Sequence, residues 1–465
     1  MKSLENKSAR APAILLVLSL SILIFLHLPL SELPLGFDQG VWASAGFALK
    51  EGAVFFRDYL HFNLPGLAMV YALSMSIFED PRTATMFVNL IGSLLAAIVS
   101  FLLINRFHGS IGASFAVMLF SLTWPISQDW ENIAQKDFFG MIGILWAGYT
   151  LSLALERTER AWYLYFLSGF FVGLASLFKP IFAVGGFYLL LARIVTFFSR
   201  SGASARDKRC AFLKTFFDAL WFLAGGLAVG VLLLCYVIFF GAFWDFVFGL
   251  FLAAPHYASM ARVETALLLR YFVGNTLLFD GFAPWGAIFW LIIVAFGTIC
   301  FIKPPKRPCN FIALALFATA FSSYFIQAKG FQYHTIPWQL FSFLAIGSTL
   351  SILSSSGLLR RRYFLIAFTL IVFLALLPAM IESEYFESLL PLYFGQTSRE
   401  DFFLRGYLER DGESVPIPLA IERVADLIRS KSEPEDEILV WGTHCQIYVL
   451  AQRMYATNCP FDNIL

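Results

Sequence analysis

The chain has 465 residues, 59% of them hydrophobic and 14% charged, with a formal net charge of +1 and a mean hydropathy of +0.72. Soluble domains carry roughly a quarter charged residues, so this composition excludes a water-soluble globular protein and indicates an integral membrane protein. A net charge this close to zero gives no electrostatic basis for nucleic acid as a partner.

Lys2, Lys7 and Arg10 precede the apolar run Ala11 to Leu30, as in a signal peptide. That run is long for a signal core and no clear small-residue cleavage site follows, so it is read as a retained first span with a cytoplasmic N-terminus. A crossing helix needs about 20 mainly apolar residues. Runs near 11–30, 83–104, 110–126, 138–155, 161–178, 180–198, 215–240, 281–302, 310–327, 337–354 and 363–380 qualify, which predicts an α-helical polytopic membrane protein of about eleven spans.

The segment Leu64 to Phe78 is apolar but short. If it crossed, the basic loops Arg200 to Lys214, Lys303 to Arg307 and Arg360 to Arg362 would face outward, against the concentration of positive residues in cytoplasmic loops. It is therefore read as re-entrant or interfacial. The outer side then holds Leu30 to Arg82, Ser127 to Asp137, the Lys179-Pro180 turn, Gly241 to Asp280, Ala328 to Thr335 and everything after Ile381.

Gly40 to Glu51 is expected to form an amphipathic helix along the membrane surface, with Val41, Trp42, Phe47 and Leu49 as its apolar contacts and Gly52 as its end. The aromatic stretch Phe243 to Arg270 reads as an interfacial belt. After Met380 the composition turns polar. Helices over Ile417 to Arg429 and His444 to Ala451 alternate with strands over Ile438 to Trp441 and Met454 to Ala456, suggesting a small α/β module. The expected division is a transmembrane domain over 1–380 and an extracytoplasmic tail over 381–465. About 85 residues is small for an independent core, so the tail either docks on the membrane domain or is incomplete.

The six cysteines, Cys210, Cys235, Cys300, Cys309, Cys445 and Cys459, show no zinc-ligand spacing. Only the last two are placed for an extracytoplasmic disulfide. Neither a Walker loop, nor HExxH, nor GxSxG is present.

Four outer-side groups carry ionisable residues, which are costly at a bilayer edge unless they face water, a partner or a substrate. Asp38, Arg57 and Asp58 lie in the first loop, where the plain alternative is an Arg57–Asp58 pair unconnected with chemistry. SQDWENIAQKD brings Asp129, Glu131, Lys136 and Asp137 together, although an acid at a helix start also suits the helix dipole. Lys179 in SLFKPIF is an isolated cation able to snorkel to the interface. QAKGFQYHTIPW carries Lys329, Tyr333 and His334. Two lysines and a histidine meeting Arg57 would form a phosphate pocket at headgroup level.

Taken together these features resemble the polytopic lipid-phosphate-sugar glycosyltransferases (GT-C type), the fold of protein O-mannosyltransferases, the lipid A aminoarabinose transferase and oligosaccharyltransferase catalytic subunits. The matching motifs are GFDQG with Asp38 after the first span, FFRDYLHFNLPG, QKDFFGM with Asp137, FKP with Lys179, and QAKGFQYHTIP with Lys329. Gln39 stands where many members have a second acid, Phe56 where Tyr is usual, and Asn63 where Lys is common.

The resemblance implies inverting transfer of a hexose or pentose from a polyprenyl-phosphate donor to an extracytoplasmic lipid, glycan or protein, at a bacterial inner membrane with the site facing outward. It makes Asp38 the general base and Arg57, Lys179, Lys329 and His334 the donor-phosphate ligands. Asp58, Glu131 and Asp137 become acceptor or secondary acids. No cofactor is required; a divalent metal is left open, and Gln39 argues against it because one carboxylate is a poor site for such an ion. Two other classes compete: a secondary transporter, which would place charge near the midplane in inverted repeats, and a non-catalytic scaffold.

Overall fold

A computed structural model of the protein describes residues 2–127, 131–157, 161–199, 205–260, 262–275, 294–299, 301–302, 307–355, 381, 383, 385–404 and 417–458. It is a helical bundle. Among the described residues seven helices are long and apolar enough to cross a membrane: Pro12–Glu32, Pro81–Phe107, Lys136–Glu156, Pro180–Phe198, Phe212–Phe239, Asn310–Gln327 and Gln332–Leu353. Of the other expected spans, 110–126 and 161–178 appear as the shorter apolar helices Ser110–Thr123 and Trp162–Phe178. The expected span over 363–380 lies outside the described residues, as does most of 281–302.

Small residues and a few polar clasps set the packing. Helix α1 (Lys2–His27) is held to α4 (Pro81–Phe107) by His27, whose Nε2 lies 3.1 Å from the Ser93 hydroxyl. Asp80 starts α4 by accepting from the Thr83 amide at 3.0 Å, with Pro81 at the first helical position. Gly112 of α5 (Ser110–Thr123) lies so close to the Gly347 carbonyl that an added Cβ would stand 1.9 Å from that oxygen. Without a hydrophobic drive between helices in lipid, such close approach supplies the attraction. Charge is not wholly absent from the spans: Arg193 and Asp218 pair at 2.7 Å between α8 (Ala183–Ser199) and α9 (Ala205–Phe239).

The first outer loop departs from the expected surface helix. Helix α2 (Phe37–Lys50) forms, but Gln39 through Gly46 are all buried, so this is an internal element. The reason is its Ala/Gly/Ser content. An added Cβ at Gly46 would meet Tyr71 Cβ of α3 (Gly66–Met75) at 2.5 Å, and one at Gly40 would meet Gln446 Cγ at 2.4 Å. With 10 residues α3 is about half the length a crossing needs, in keeping with the re-entrant or interfacial reading.

The aromatic stretch breaks into α10 (Phe243–Val247), a π-helical turn over Phe248–Ala253, α11 (Ala254–Ser259) and α12 (Thr265–Asn275), leaving Trp244 and Phe251 exposed. Two long helices follow, α13 (Arg307–Gln327) and α14 (Ile336–Ser355). In the tail, α15 (Ile417–Lys431) precedes β1 (Glu437–Ile438), which pairs in parallel with β2 (Met454–Tyr455) across α16 (Gln446–Ala451). The first strand is shorter than expected, and Trp441 is 87% exposed beyond it.

The tail shares the core of the membrane bundle: Leu419, Cys445, Tyr448, Val449 and Tyr455 lie in one hydrophobic cluster with α2 and α4. Polar contacts join them as well. Arg399 donates to Glu422 at 2.5 Å and to Glu32 at 3.3 Å, and the Leu60 amide donates to the Asn458 carbonyl at 2.7 Å. Cys445 is buried, and Cys459 lies outside the described residues.

A first expected result follows from the contact between α2 and α16. Gly40→Ala places a methyl group where the Gln446 side chain and backbone nitrogen lie, and overpacking of this kind costs about 1–3 kcal/mol. The variant should melt several degrees below the wild type in detergent, and Gln446→Ala should restore part of the loss. A Gly40→Ala protein that melts with the wild type would show that the tail does not press on α2.

Candidate active site

Asp38 is the second residue of α2, where the positive end of the helix dipole favours a carboxylate. Its Oδ2 is buried and accepts no hydrogen bond among the described residues. It lies within electrostatic reach of Lys179, Tyr257 and Tyr333. The neighbouring Gln39 turns away, its amide donating to the carbonyls of Glu131 at 2.9 Å and Ile133 at 2.6 Å. A carboxylate could not make those bonds. Gln39 thereby ties the start of α2 to the loop leading into α6 (Lys136–Glu156).

Asp137, in the first turn of α6, is fully buried. Its Oδ2 accepts from Lys179 Nζ at 2.7 Å and its Oδ1 from Gln327 Nε2 at 3.0 Å, while Lys179 also donates to Gln327 Oε1. Lys179 stands in the turn between α7 (Trp162–Phe178) and α8, with Pro180 ending the helical run. Burial pulls its pKa from 10.5 down to about 8, opposed by Asp137.

The 328–335 segment closes the site. Lys329 Nζ donates to the carbonyls of Tyr257 at 2.8 Å and Met260 at 2.9 Å and sits 3.9 Å from the Tyr257 ring centroid. Burial, then Arg262, lowers its pKa. His334 is buried against Tyr333, ring centroids 4.6 Å apart, and its Nδ1 has no hydrogen-bond partner among the described residues. An ammonium offers three donors, and among the described residues Lys179 and Lys329 each use two on the protein.

The remaining sequence candidates sit elsewhere. Arg57 and Asp58 pair with each other at 2.8 Å on an exposed corner, where Arg57 also donates to the Phe240 carbonyl at 3.1 Å; Arg57 does not join the lysines as expected. The pair has a plain cause, because Asp58 also accepts from the Val54 amide and so fastens its own loop. The Arg57 hydrogen bond holds Asp58 below the usual carboxylate range. Glu131 is exposed and contributes its carbonyl to Gln39 and Gln135. Asp129 lies outside the described residues.

Three residues gain weight only from the structure. Gln327 bridges Asp137 and Lys179, Tyr257 supports Lys329, and Lys136 lies inside the polar cluster, within reach of Lys179, Lys329 and His334. The one sequence signal for Lys136 is a lysine at a helix start, the end where a cation is disfavoured.

Fold and site together define a polytopic membrane protein with a cluster of basic and carboxylate side chains at one end of the bundle. Residues 64–225 match the model of a family described as dolichyl-phosphate-mannose-protein mannosyltransferase. Among solved structures the chain is similar to ArnT from Cupriavidus metallidurans bound to undecaprenyl phosphate, with a TM-score of 0.60 and 14% identity over 94% of this chain and 85% of that one. It is also similar to the archaeal oligosaccharyltransferase AglB from Archaeoglobus fulgidus in complex with an inhibitory peptide and a dolichol-phosphate, with a TM-score of 0.53 and 14% identity over 96% of this chain. The chain spans 64% of the length of that oligosaccharyltransferase. No curated protein matches it in sequence. The chain shares the fold of these two structures.

Among the described residues no three His, Cys, Asp or Glu side chains converge in a way that could hold a metal ion. Asp38 is flanked by an amide already committed to two carbonyls. Among the described residues the donor set around Asp38 does not fit a divalent cation.

Proposed function

We propose that the protein transfers a sugar from a polyprenyl-phosphate donor to the hydroxyl or amide of an extracytoplasmic acceptor. The observation that carries this reading is the convergence of Asp38 with Lys179, Lys329 and His334 at one end of a GT-C bundle. Asp38 accepts the acceptor's proton as the new glycosidic bond forms and the bond between the anomeric carbon and the phosphate oxygen breaks. The lysines and His334 receive the charge that develops on the departing lipid phosphate; preorganised donors aimed at such charge are usually the largest catalytic term. Asp137 and Gln327 hold Lys179 in place, and Arg57 with Asp58 braces the first loop away from the reacting atoms.

The surroundings suit an amphiphilic donor. An apolar groove of about 430 Å³ runs between α7, α8 and α9 and is lined by Ser176, Leu177 and Ala183, on either side of Lys179. A polyprenyl chain lying there would keep its phosphate at the lysine. The concentration of basic residues in the loops of the opposite side supports a site that faces outward from a bacterial plasma membrane.

The test is to incubate the purified protein with polyprenyl-phosphate sugars and an acceptor extract and to follow release of polyprenyl phosphate. Acceptor-dependent release supports the proposal. Proton-coupled uptake into proteoliposomes without bond cleavage would replace it with transport.

A further inference from the structure

We infer that Lys136 is a donor-phosphate ligand, the cation of the site whose charge the protein itself leaves for the substrate. This rests on the lipid-phosphate reading above and extends it to a residue outside the motif positions.

Lys136 is only 9% exposed and opens the 21-residue helix α6. Both facts are unfavourable to a cation. Burial strips its hydration, and the first turn of a helix presents unsatisfied N–H groups and the positive dipole end. It also stands within reach of the cations Lys179 and Lys329 and the imidazole of His334. The other two lysines are compensated: Lys179 by the Asp137 carboxylate and Gln327, Lys329 by two carbonyls. Among the described residues Lys136 has no hydrogen bond and no ion pair. Its only recorded support is the face of Trp42, 5.4 Å from Nζ to the ring centroid.

A ring face orients an ammonium without neutralising it. Trp42 is itself buried and packed at a tilt against His61, with ring centroids 4.9 Å apart, so the lysine rests on a fixed platform. An aimed, buried, unneutralised cation beside two further ammonium groups and a helix N-terminus is the donor set for a dianionic phosphate. The chain supplies Asp38 and Asp137 nearby, but Asp137 is committed to Lys179 and Gln327 and Asp38 Oδ2 accepts no hydrogen bond among the described residues, so a ligand phosphate is the group that satisfies Lys136.

The experiment measures binding of two probes, polyprenyl phosphate and the uncharged polyprenol, to detergent-purified wild type, Lys136→Met and Lys136→Arg, with melting temperatures for each. In the wild type, polyprenyl phosphate should bind at least tenfold tighter than polyprenol; without that difference the lipid-phosphate reading itself fails. Given the difference, Lys136→Met should lose about tenfold in affinity for polyprenyl phosphate and nothing for polyprenol, and Lys136→Arg should keep most of it. Equal polyprenyl phosphate affinity in Lys136→Met overturns the assignment. A parallel loss for both probes also overturns it, because that marks Lys136 as a packing residue. If Lys136→Met does not fold, Lys136→Gln takes its place: a loss confined to polyprenyl phosphate at a wild-type melting temperature supports the inference, and unchanged affinity or a parallel loss for both probes rejects it.

Discussion

Asp38→Asn is expected to lower the rate of sugar transfer by about 10²–10⁴-fold, the range that a positioned general base contributes, while polyprenyl phosphate binding stays within a few-fold of the wild type. The substitution is isosteric, so the start of α2 keeps its shape, and an asparagine side chain cannot accept the acceptor's proton. The carboxylate's surroundings suit the role. Oδ2 is buried and accepts no hydrogen bond among the described residues, which leaves it open to the acceptor, while Lys179 and Tyr333 lie within electrostatic reach of the carboxylate. Single-turnover transfer with bound donor is the measurement. A variant that turns over at the wild-type rate removes Asp38 from the chemistry, and one that loses transfer and lipid binding together makes it a structural residue.

Asp137→Ala should show the largest effect on the folded protein. It leaves the Lys179 ammonium, 12% exposed in its side chain, without its 2.7 Å partner, and removing one member of a buried pair costs about 3–5 kcal/mol. A marked fall in melting temperature is expected, with the double variant Asp137→Ala/Lys179→Met melting above the single one because no charge is then left stranded. Two equal melting curves for Asp137→Ala and the wild type would mean that the pair contributes nothing.

The same pair sets a pH dependence. The ammonium form of Lys179 is the one that binds phosphate, so donor affinity should hold near neutrality and decline as the pH rises through about 8. Stability moves the opposite way: between about 8 and the ordinary value of 10.5 the unfolded chain binds the extra proton, so folding gains as pH rises over that window. Lys179→Arg, which stays charged, should flatten the affinity profile. A wild-type profile flat from pH 7 to 10 would show that Lys179 does not contact the donor.

How much of this was legible beforehand depends on the physics behind each feature. Crossing segments are read from local composition, so Pro81–Phe107, Lys136–Glu156 and Gln332–Leu353 stand close to the apolar runs that announce them. The outer-side motifs were legible because ionisable residues in so apolar a chain are conspicuous, and four of those groups supply Asp38, Asp137, Lys179 and Lys329. What pattern reading could not give is the partner each charge has. Arg57 looked like a phosphate ligand by its position in the chain, yet Asp58 is its immediate neighbour and the two close on each other. Lys136 stands in the sequence beside Asp129, Glu131 and Asp137 with nothing to single it out, and only the fold sets it against Trp42.

The placement of α2 makes the same point from the apolar side. Its Ala/Gly/Ser face is equally suited to lying on a membrane surface or to admitting other backbones closely, and periodicity does not distinguish the two. Contacts with Tyr71 and Gln446, residues far apart in the chain, decide for burial.

By itself the sequence determined that the protein lives in a membrane, where its crossing segments lie and which residues are charged, because hydrophobicity and charge belong to individual residues and short windows. The tertiary structure alone decided which charges neutralise one another and which remain available, since ion pairing depends on distances of a few ångströms between groups well apart along the chain, as with Asp137 and Lys179, 42 residues apart.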